Sequence, residues 1–271
     1  MIYLEREMKP LTLLKRLIFI PKCIACGELL EPIPQNTAMT YGKICFCNSC
    51  LAKWEKAKSE TCRVCSKTAD MCSCIPKYFK DLQGNIPSLC FYSPKTEKTQ
   101  NRVILTLKKI NDAEAFEFLS VELLPQIVKM LAARGIDGEN CIFAWIPRKR
   151  SSIAKYGFDQ GQKLCEAIAK GFGQHAYPLF RRLGGKEQKK LGTAEREANA
   201  EKCIVLNHAM IRFPKQCNEN CLGSFLNQKC VVIIDDVFTT GATLKRGVEL
   251  LKSEGVDTVI VACIAKSEAK I

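Results

Sequence analysis

The sequence predicts an α/β protein in which helices flank a parallel sheet and a small cysteine-rich region comes first. Three observations carry this. Nine of the seventeen cysteines fall between Cys23 and Cys74. Beyond Lys80, apolar runs of strand length alternate with stretches of helical period. The last of these units, VVIIDDVFTTGATL (Val231–Leu244), sets two adjacent carboxylates at the end of an apolar strand and follows them with threonines and a glycine. Strands that alternate with helices imply parallel pairing with right-handed crossovers.

A chain of 271 residues exceeds the usual single-domain size of roughly 100–150, so a small unit (1–84) and a larger one (85–271) are expected. The hydrophobic share of 47% can fill a core. A membrane span needs about 18 uninterrupted apolar residues. The run Leu11–Ile20 is broken by Lys15 and Arg16, so it reads as a short amphipathic helix, and no secretory cleavage signal follows it. The expectation is a cytoplasmic protein with no membrane span.

The cysteines come in pairs: CIAC (Cys23, Cys26), CNSC (Cys47, Cys50), CRVC (Cys62, Cys65) and the tighter CSC (Cys72, Cys74). A two-residue spacer lets one tight turn aim two thiolates at one ion, and two such turns complete a tetrahedral zinc site. Two structural Zn²⁺ ions are therefore expected. Sequential pairing gives Cys23/Cys26/Cys47/Cys50 and Cys62/Cys65/Cys72/Cys74. Spacing equally allows an interleaved arrangement, and Cys45 is an alternative to Cys47.

The segment Phe91–Asp112 carries a helical apolar stripe at Val103, Ile104 and Leu107, and a second helical run extends from Ala113 to about Ala133. CIFAWIP (Cys141–Pro147) is a continuous apolar run ending in proline, hence a buried strand. A helix from about Asp159 to Lys170, a short strand near Tyr177–Phe180 and a charged helical piece at Glu187–Ala200 come next. Residues 207–228 break the rhythm as an irregular insertion. A strand at Lys229–Asp235, a helix from Ala242 to about Ser253 and the strand DTVIVACIA complete the sheet.

In open α/β sheets ligands bind just beyond the carboxyl ends of the strands, which puts Asp235 and Asp236 at the rim. Vicinal carboxylates there need partners, and sugar hydroxyls or Mg²⁺-bound waters are suitable. Thr239, Thr240, Gly241, Ala242 and Thr243 lie at a helix start, where backbone N–H groups and the dipole favour a phosphate. Diol-binding acids beside a phosphate cup point to a ribose 5-phosphate.

On these residues the motif resembles the phosphoribosyl-pyrophosphate (PRPP) signature of type I phosphoribosyltransferases, with Phe238 where a small aliphatic is commoner. IPRKRSSIAKYGFDQGQKLCEAIA and RRLGGKEQKKLGTAEREANAE are similar to two segments of ComF-type competence proteins, and LLKRLIFIPKCIACGELL to their opening. The resemblance spans about Leu13 to Ala265. It implies a zinc region fused to a phosphoribosyltransferase-like domain that binds PRPP with Mg²⁺. Asp235 and Asp236 would hold the ribose hydroxyls and metal waters, Thr239–Thr243 the 5-phosphate, and Arg148 and Lys149 the pyrophosphate, with Arg148 joining the acid pair in catalysis. Arg181, Gln188, Arg196 and Asn199 would form a lid. Tyr156 stands at a family arginine, Asp159 at an asparagine and Cys203 near a phenylalanine.

The implied role is the handling of incoming single-stranded DNA in natural transformation, with an ATP-driven helicase-like partner, since no Walker motif is present. A nucleobase salvage phosphoribosyltransferase and an inactive structural adaptor are the alternatives. The formal charge of +13 would fall to about +9 with two Zn²⁺ on eight thiolates, which still favours polyanions. Lys53, Lys56, Lys58, Arg63, Lys67, Lys77 and Lys80 supply charge, and Trp54, Tyr78, Phe79, Phe91 and Tyr92 are candidates for base stacking. A solvated basic surface around a small aromatic core is the competing reading. Neither His175 nor His208 adjoins a motif, so no histidine-based nucleophile is expected.

Overall fold

The computed structural model describes residues 17–31, 45–94, 96–183, 203–208, 226 and 229–268. The predicted charged helix at 187–200, almost all of the 207–228 insertion, and the start of the amphipathic N-terminal helix lie outside them. In chain order the first half holds α1 (Asn48–Ser59), α2 (Lys77–Gln83), β1 (Cys90–Tyr92), α3 (Thr99–Leu107), α4 (Ala113–Ala132) and β2 (Cys141–Trp145). Then follow α5 (Arg150–Tyr156), α6 (Gln160–Gly171), β3 (Ala176–Tyr177), β4 (Phe180–Arg182), β5 (Ile204–Leu206), β6 (Cys230–Phe238), α7 (Ala242–Ser253) and β7 (Thr258–Ser267).

A five-stranded sheet of order β1-β7-β6-β2-β3 has every neighbour parallel. Its central strands alternate strictly between two helical layers, because successive strand side chains point to opposite faces. Phe143, Trp145, Val232, Ile234, Ile260 and Ala262 face α4 and α6, while Ile142, Ala144, Val231, Ile233, Val259 and Val261 face α7. Each buried Val, Ile or Phe among them contributes about 1.5–3 kcal/mol. The long helices start where polar caps fix them: Asp112 accepts from the Ala115 N–H at 3.1 Å, and Asp159 from the Gly161 N–H at 2.9 Å.

Four sequence expectations are corrected. β6 runs on through Asp235 and Asp236 to Phe238 instead of ending at the acids. The strand expected at Tyr177–Phe180 is split, because Pro178 has no N–H to give a ladder. Ala176–Tyr177 joins the main sheet and Phe180–Arg182 pairs antiparallel with β5. β1 and α5 were not anticipated, being three and seven residues long with no resolvable period. Trp54, Phe79 and Phe91 are at most 2% exposed, which withdraws them from base stacking.

The cysteine segment packs as part of the main body. Each leading Cys-x-x-Cys sits in the same tight turn. Cys23 N–H donates to Glu28 O and Gly27 N–H to Cys23 O, both at 2.8 Å, and Cys62 and Ser66 repeat the pattern with Lys67 O and Cys62 O, again at 2.8 Å. Phe46 stacks on Trp54 at 5.8 Å and meets Phe118 of α4 edge-on at 5.5 Å, so the first knuckle shares the core on the α4/α6 face.

Candidate active site and metal centres

The acids sit in a notch of the sheet. Pairing of β2 with β6 stops at Trp145↔Ile234, whereas β7 continues alongside β6 through Asp235↔Cys263 to Phe238↔Lys266. On the β2 side, therefore, β6 loses its neighbour at the residue where the carboxylates begin. This is the carboxyl-end crevice that parallel sheets offer to ligands.

The two carboxylates are not equivalent. Burial, then the neighbouring Asp236, pushes the Asp235 carboxyl up to about 8. Burial would also raise Asp236, but Lys108 Nζ lies 2.9 Å from its Oδ2 and holds it below the usual carboxylate range. Gln160 Nε2 donates to the same oxygen at 3.4 Å, while the buried Gln160 Oε1 finds no hydrogen-bond partner among the described residues. The Lys108 ammonium is in turn raised by Asp236 in spite of burial. Arg182 Nε donates to Pro147 O at 2.8 Å; burial lowers this guanidinium and the nearby Asp235 opposes that effect.

The loop after β2 brings Arg148 to the same crevice. Its backbone N–H donates to Asp159 Oδ2 at 2.8 Å, so one carboxylate fixes both this loop and the start of α6. The Arg148 guanidinium lies 4.7 Å from the Tyr156 ring centroid and 6.0 Å from that of Phe158. Its Nη1 is buried without a hydrogen-bond partner among the described residues. A buried guanidinium nitrogen in this state is a ready donor for an anion.

On the other side of the acids the chain turns into α7. Gly241 takes the left-handed conformation at φ +76° and caps the helix, its carbonyl accepting from the Lys245 N–H at 2.7 Å. Thr240 Oγ1 accepts from the Ala242 N–H at 3.4 Å. Thr239 is exposed, and Thr240 and Thr243 are half-buried. A helix start presents N–H groups and positive dipole charge to an anion.

Of the predicted site residues, Asp235 and Asp236 lie on β6, the Thr239–Thr243 turn follows it directly, and Arg148 and Lys149 follow β2, the strand paired with β6 up to Ile234. Arg181 is exposed on β4, and Gln188, Arg196 and Asn199 lie outside the described residues. Three side chains escaped sequence reasoning: Lys108, Arg182 and Asp159 as a loop anchor. Asp159 carried a signal, as a cap before a helical stripe. Lys108 carried none, because only the packing of α3 brings it to the acids.

The cysteines form two sulfur clusters, Cys23/Cys26/Cys47/Cys50 and Cys62/Cys65/Cys72/Cys74, with the ligand atoms of each within 4.8 Å of one another. This is the sequential pairing. Cys45 is buried outside the first group. A tetrahedral zinc–thiolate site with 2.3 Å bonds has sulfur–sulfur edges of about 3.8 Å, and the Cys26–Cys47 separation is 3.8 Å. The donor sets fit, and each could hold a metal ion such as zinc. The Cys65 thiol is brought down to about 7, chiefly by the Lys67 backbone N–H.

Residues 215–271 match the phosphoribosyl transferase domain family. No curated protein matches the chain. Among the described residues no helix is long and apolar enough to cross a membrane. The matched stretch takes in β6, α7 and β7, the strand, turn, helix and strand that carry the acid pair and the Gly241 turn.

Proposed function

We propose that the chain binds PRPP in the crevice at the end of β6 and belongs with the ComF-type competence proteins, residues 85–271 forming the sheet of the site and 1–84 its cysteine-rich cover. The observation that carries the ligand is the union, within nine residues, of the paired acids and the left-handed Gly241 turn into α7, and Arg148, on the loop after the neighbouring strand β2, keeps its buried Nη1 without a hydrogen-bond partner among the described residues.

In this reading Asp235 and Asp236 accept from the ribose hydroxyls, and the Thr239–Thr243 turn wraps the 5-phosphate. Arg148 and Lys149 take the pyrophosphate, where fixed positive charge stabilises a departing anion as the anomeric carbon becomes electron-poor. Mg²⁺, when bound, would add charge neutralisation through waters held by the acids. Lys108 and Arg182 offset part of the repulsion between the two acids before the ligand arrives. The cysteine tetrads would hold two structural zinc ions. Exposed Lys53, Lys56, Arg63, Lys67, Lys77 and Lys80 on the cysteine segment support a single-stranded nucleic acid as the second partner, passed on by an ATP-driven translocase.

The test is calorimetric titration with Mg-PRPP. Wild type is expected to bind, and Asp235→Asn/Asp236→Asn to lose about 100-fold in affinity, the scale of two charge-assisted hydrogen bonds. Equal binding by both proteins, or none by wild type at millimolar ligand, overturns the reading. A pyrophosphate-release screen over nucleobases separates the competence role, for which no nucleobase-dependent release is expected, from salvage.

A further inference from the structure

The second cysteine cluster is remote in sequence from the Gly241 turn, yet the segment that directly follows it packs against that turn. Beyond Cys74 the chain turns at Pro76, whose carbonyl accepts from the Phe79 and Lys80 N–H groups at 3.0 and 3.1 Å to start α2. Phe79 is 1% exposed. Its ring meets Phe238 edge-to-face, 5.0 Å between centroids at 90°. A Cβ at Gly241 would lie 2.4 Å from Phe79 Cε2 and 2.8 Å from two atoms of the Phe238 ring, so the turn rests directly on these rings. Tyr78, next to Phe79, carries Lys245 of the first turn of α7 over its ring at 5.6 Å.

The cluster is itself joined to the sheet. Lys266, 1% exposed and paired across the ladder with Phe238, donates from Nζ to Cys72 O at 2.6 Å. Gln83 at the end of α2 accepts from the Val261 N–H at 2.8 Å and donates to Val261 O at 2.9 Å, so its carboxamide serves β7 as an absent neighbouring strand would. The Cys62–Cys74 turns and α2 are thereby fixed to β7 and hold Phe79 against the loop that leaves β6. By contrast, Arg148 at the other end of the crevice is held by Tyr156, Phe158 and Asp159.

We propose that Phe79 is a positioning residue for the 5-phosphate loop, and that the Cys62/Cys65/Cys72/Cys74 cluster, by holding Phe79, sets the affinity for the phosphate end of the ligand. The proposal rests on the PRPP reading above. A phosphate cup works only while its N–H groups converge, and side chains packed behind a loop are what keep such geometry fixed. Without the Phe79 ring, Phe238 and Gly241 gain room and the N–H groups spread. The pyrophosphate end does not share this support.

The experiment uses the full chain as wild type, Phe79→Leu and Phe79→Ala, each titrated with ribose 5-phosphate, Mg-PRPP and Mg-pyrophosphate. Circular dichroism and zinc content are recorded in parallel. Phe79→Leu is expected to weaken ribose 5-phosphate and PRPP by about threefold to tenfold, the effect of one lost aromatic pair, with Mg-pyrophosphate affinity retained. Phe79→Ala should show a larger split of the same kind; if it does not fold, the leucine variant decides. Unaltered ribose 5-phosphate affinity in Phe79→Leu overturns the proposal, as does a parallel loss of all three ligands, which would mark a general structural role. A wild type that binds neither sugar phosphate overturns the PRPP reading itself.

Discussion

Asp235 and Asp236 are chemically identical neighbours that the fold drives apart. Lys108 stands on Asp236 at 2.9 Å, and Asp235, without such an ion pair among the described residues, is pushed up to about 8 by burial and by the adjacent charge. A carboxyl in the unfolded chain titrates near ~3.9. Between those two values the folded protein holds a proton that the unfolded chain has released, so this residue's contribution to stability is complete below about pH 4 and is lost as pH rises through about 8. Asn imitates the protonated form at every pH. Asp235→Asn is therefore expected to melt above wild type at pH 8, by a few degrees for each roughly 1 kcal/mol, with the difference closing toward pH 4. Scanning calorimetry at both pH values measures this, and a difference that grows on acidification would refute the assignment. Such a pair, costly in isolation, is the pattern expected where a ligand or its metal supplies the missing positive charge.

At the level of elements, legibility followed length and periodicity. β6, β7, α4, α6 and α7 were readable because several apolar positions in register outvote local noise, and because Asp112 and Asp159 mark helix starts by their chemistry. The acid pair and the threonine turn were readable for the same reason, lying together on one strand and its exit. β1 and α5 were too short to show a period, and Lys108 reaches Asp236 only through tertiary packing. The extension of β6 past the acids was also hidden, since continued pairing with β7 decides it and residue type does not. The exit from β6 makes its own prediction. Gly241 and Gly157 both adopt positive φ, +76° and +79°, but a Cβ at Gly157 meets nothing within 4 Å whereas one at Gly241 strikes two rings. Gly157→Ala should cost about 1–2 kcal/mol, the price of the left-handed backbone for a residue with a Cβ. Gly241→Ala adds overpacking of about 1–3 kcal/mol. Urea midpoints should order wild type, Gly157→Ala, Gly241→Ala from highest to lowest; equal midpoints for the two variants would mean that the loop does not rest on Phe79.

For the molecule as a whole, the cysteine clusters make a small basic segment into a structural part of a larger sheet protein. The first cluster borrows Trp54 and Phe46 from α1 and its approach for the core it shares with α4, and the second spends Phe79 and Lys266 on β6 and β7. Both therefore bury aromatics that a single-stranded nucleic acid would otherwise stack upon. What remains exposed among the described residues of this segment is lysine and arginine charge, beside apolar side chains such as Phe19, Leu29 and Val64. Lys53 and Lys56 line a groove of ≈ 490 Å³ beside Cys26 and Cys47, where Lys98 is paired with Glu60 and Arg102 with Glu97, both at 2.8 Å. Contact with single-stranded DNA on this segment should then be through phosphates, with little discrimination among bases. For single strands the logarithm of the binding constant falls with that of salt by about 0.7 per phosphate neutralised. Fluorescence anisotropy on oligo-dT and oligo-dA from 50 to 300 mM salt is expected to give similar affinities and a slope near −3, as about four contacts require. Lys53→Gln/Lys56→Gln should flatten that slope by about 1.4 and weaken both oligonucleotides equally. Binding that is independent of salt would instead demand stacking, for which the buried Trp54, Phe79 and Phe91 are unsuited, and would remove the physical basis for a DNA-handling role on this surface.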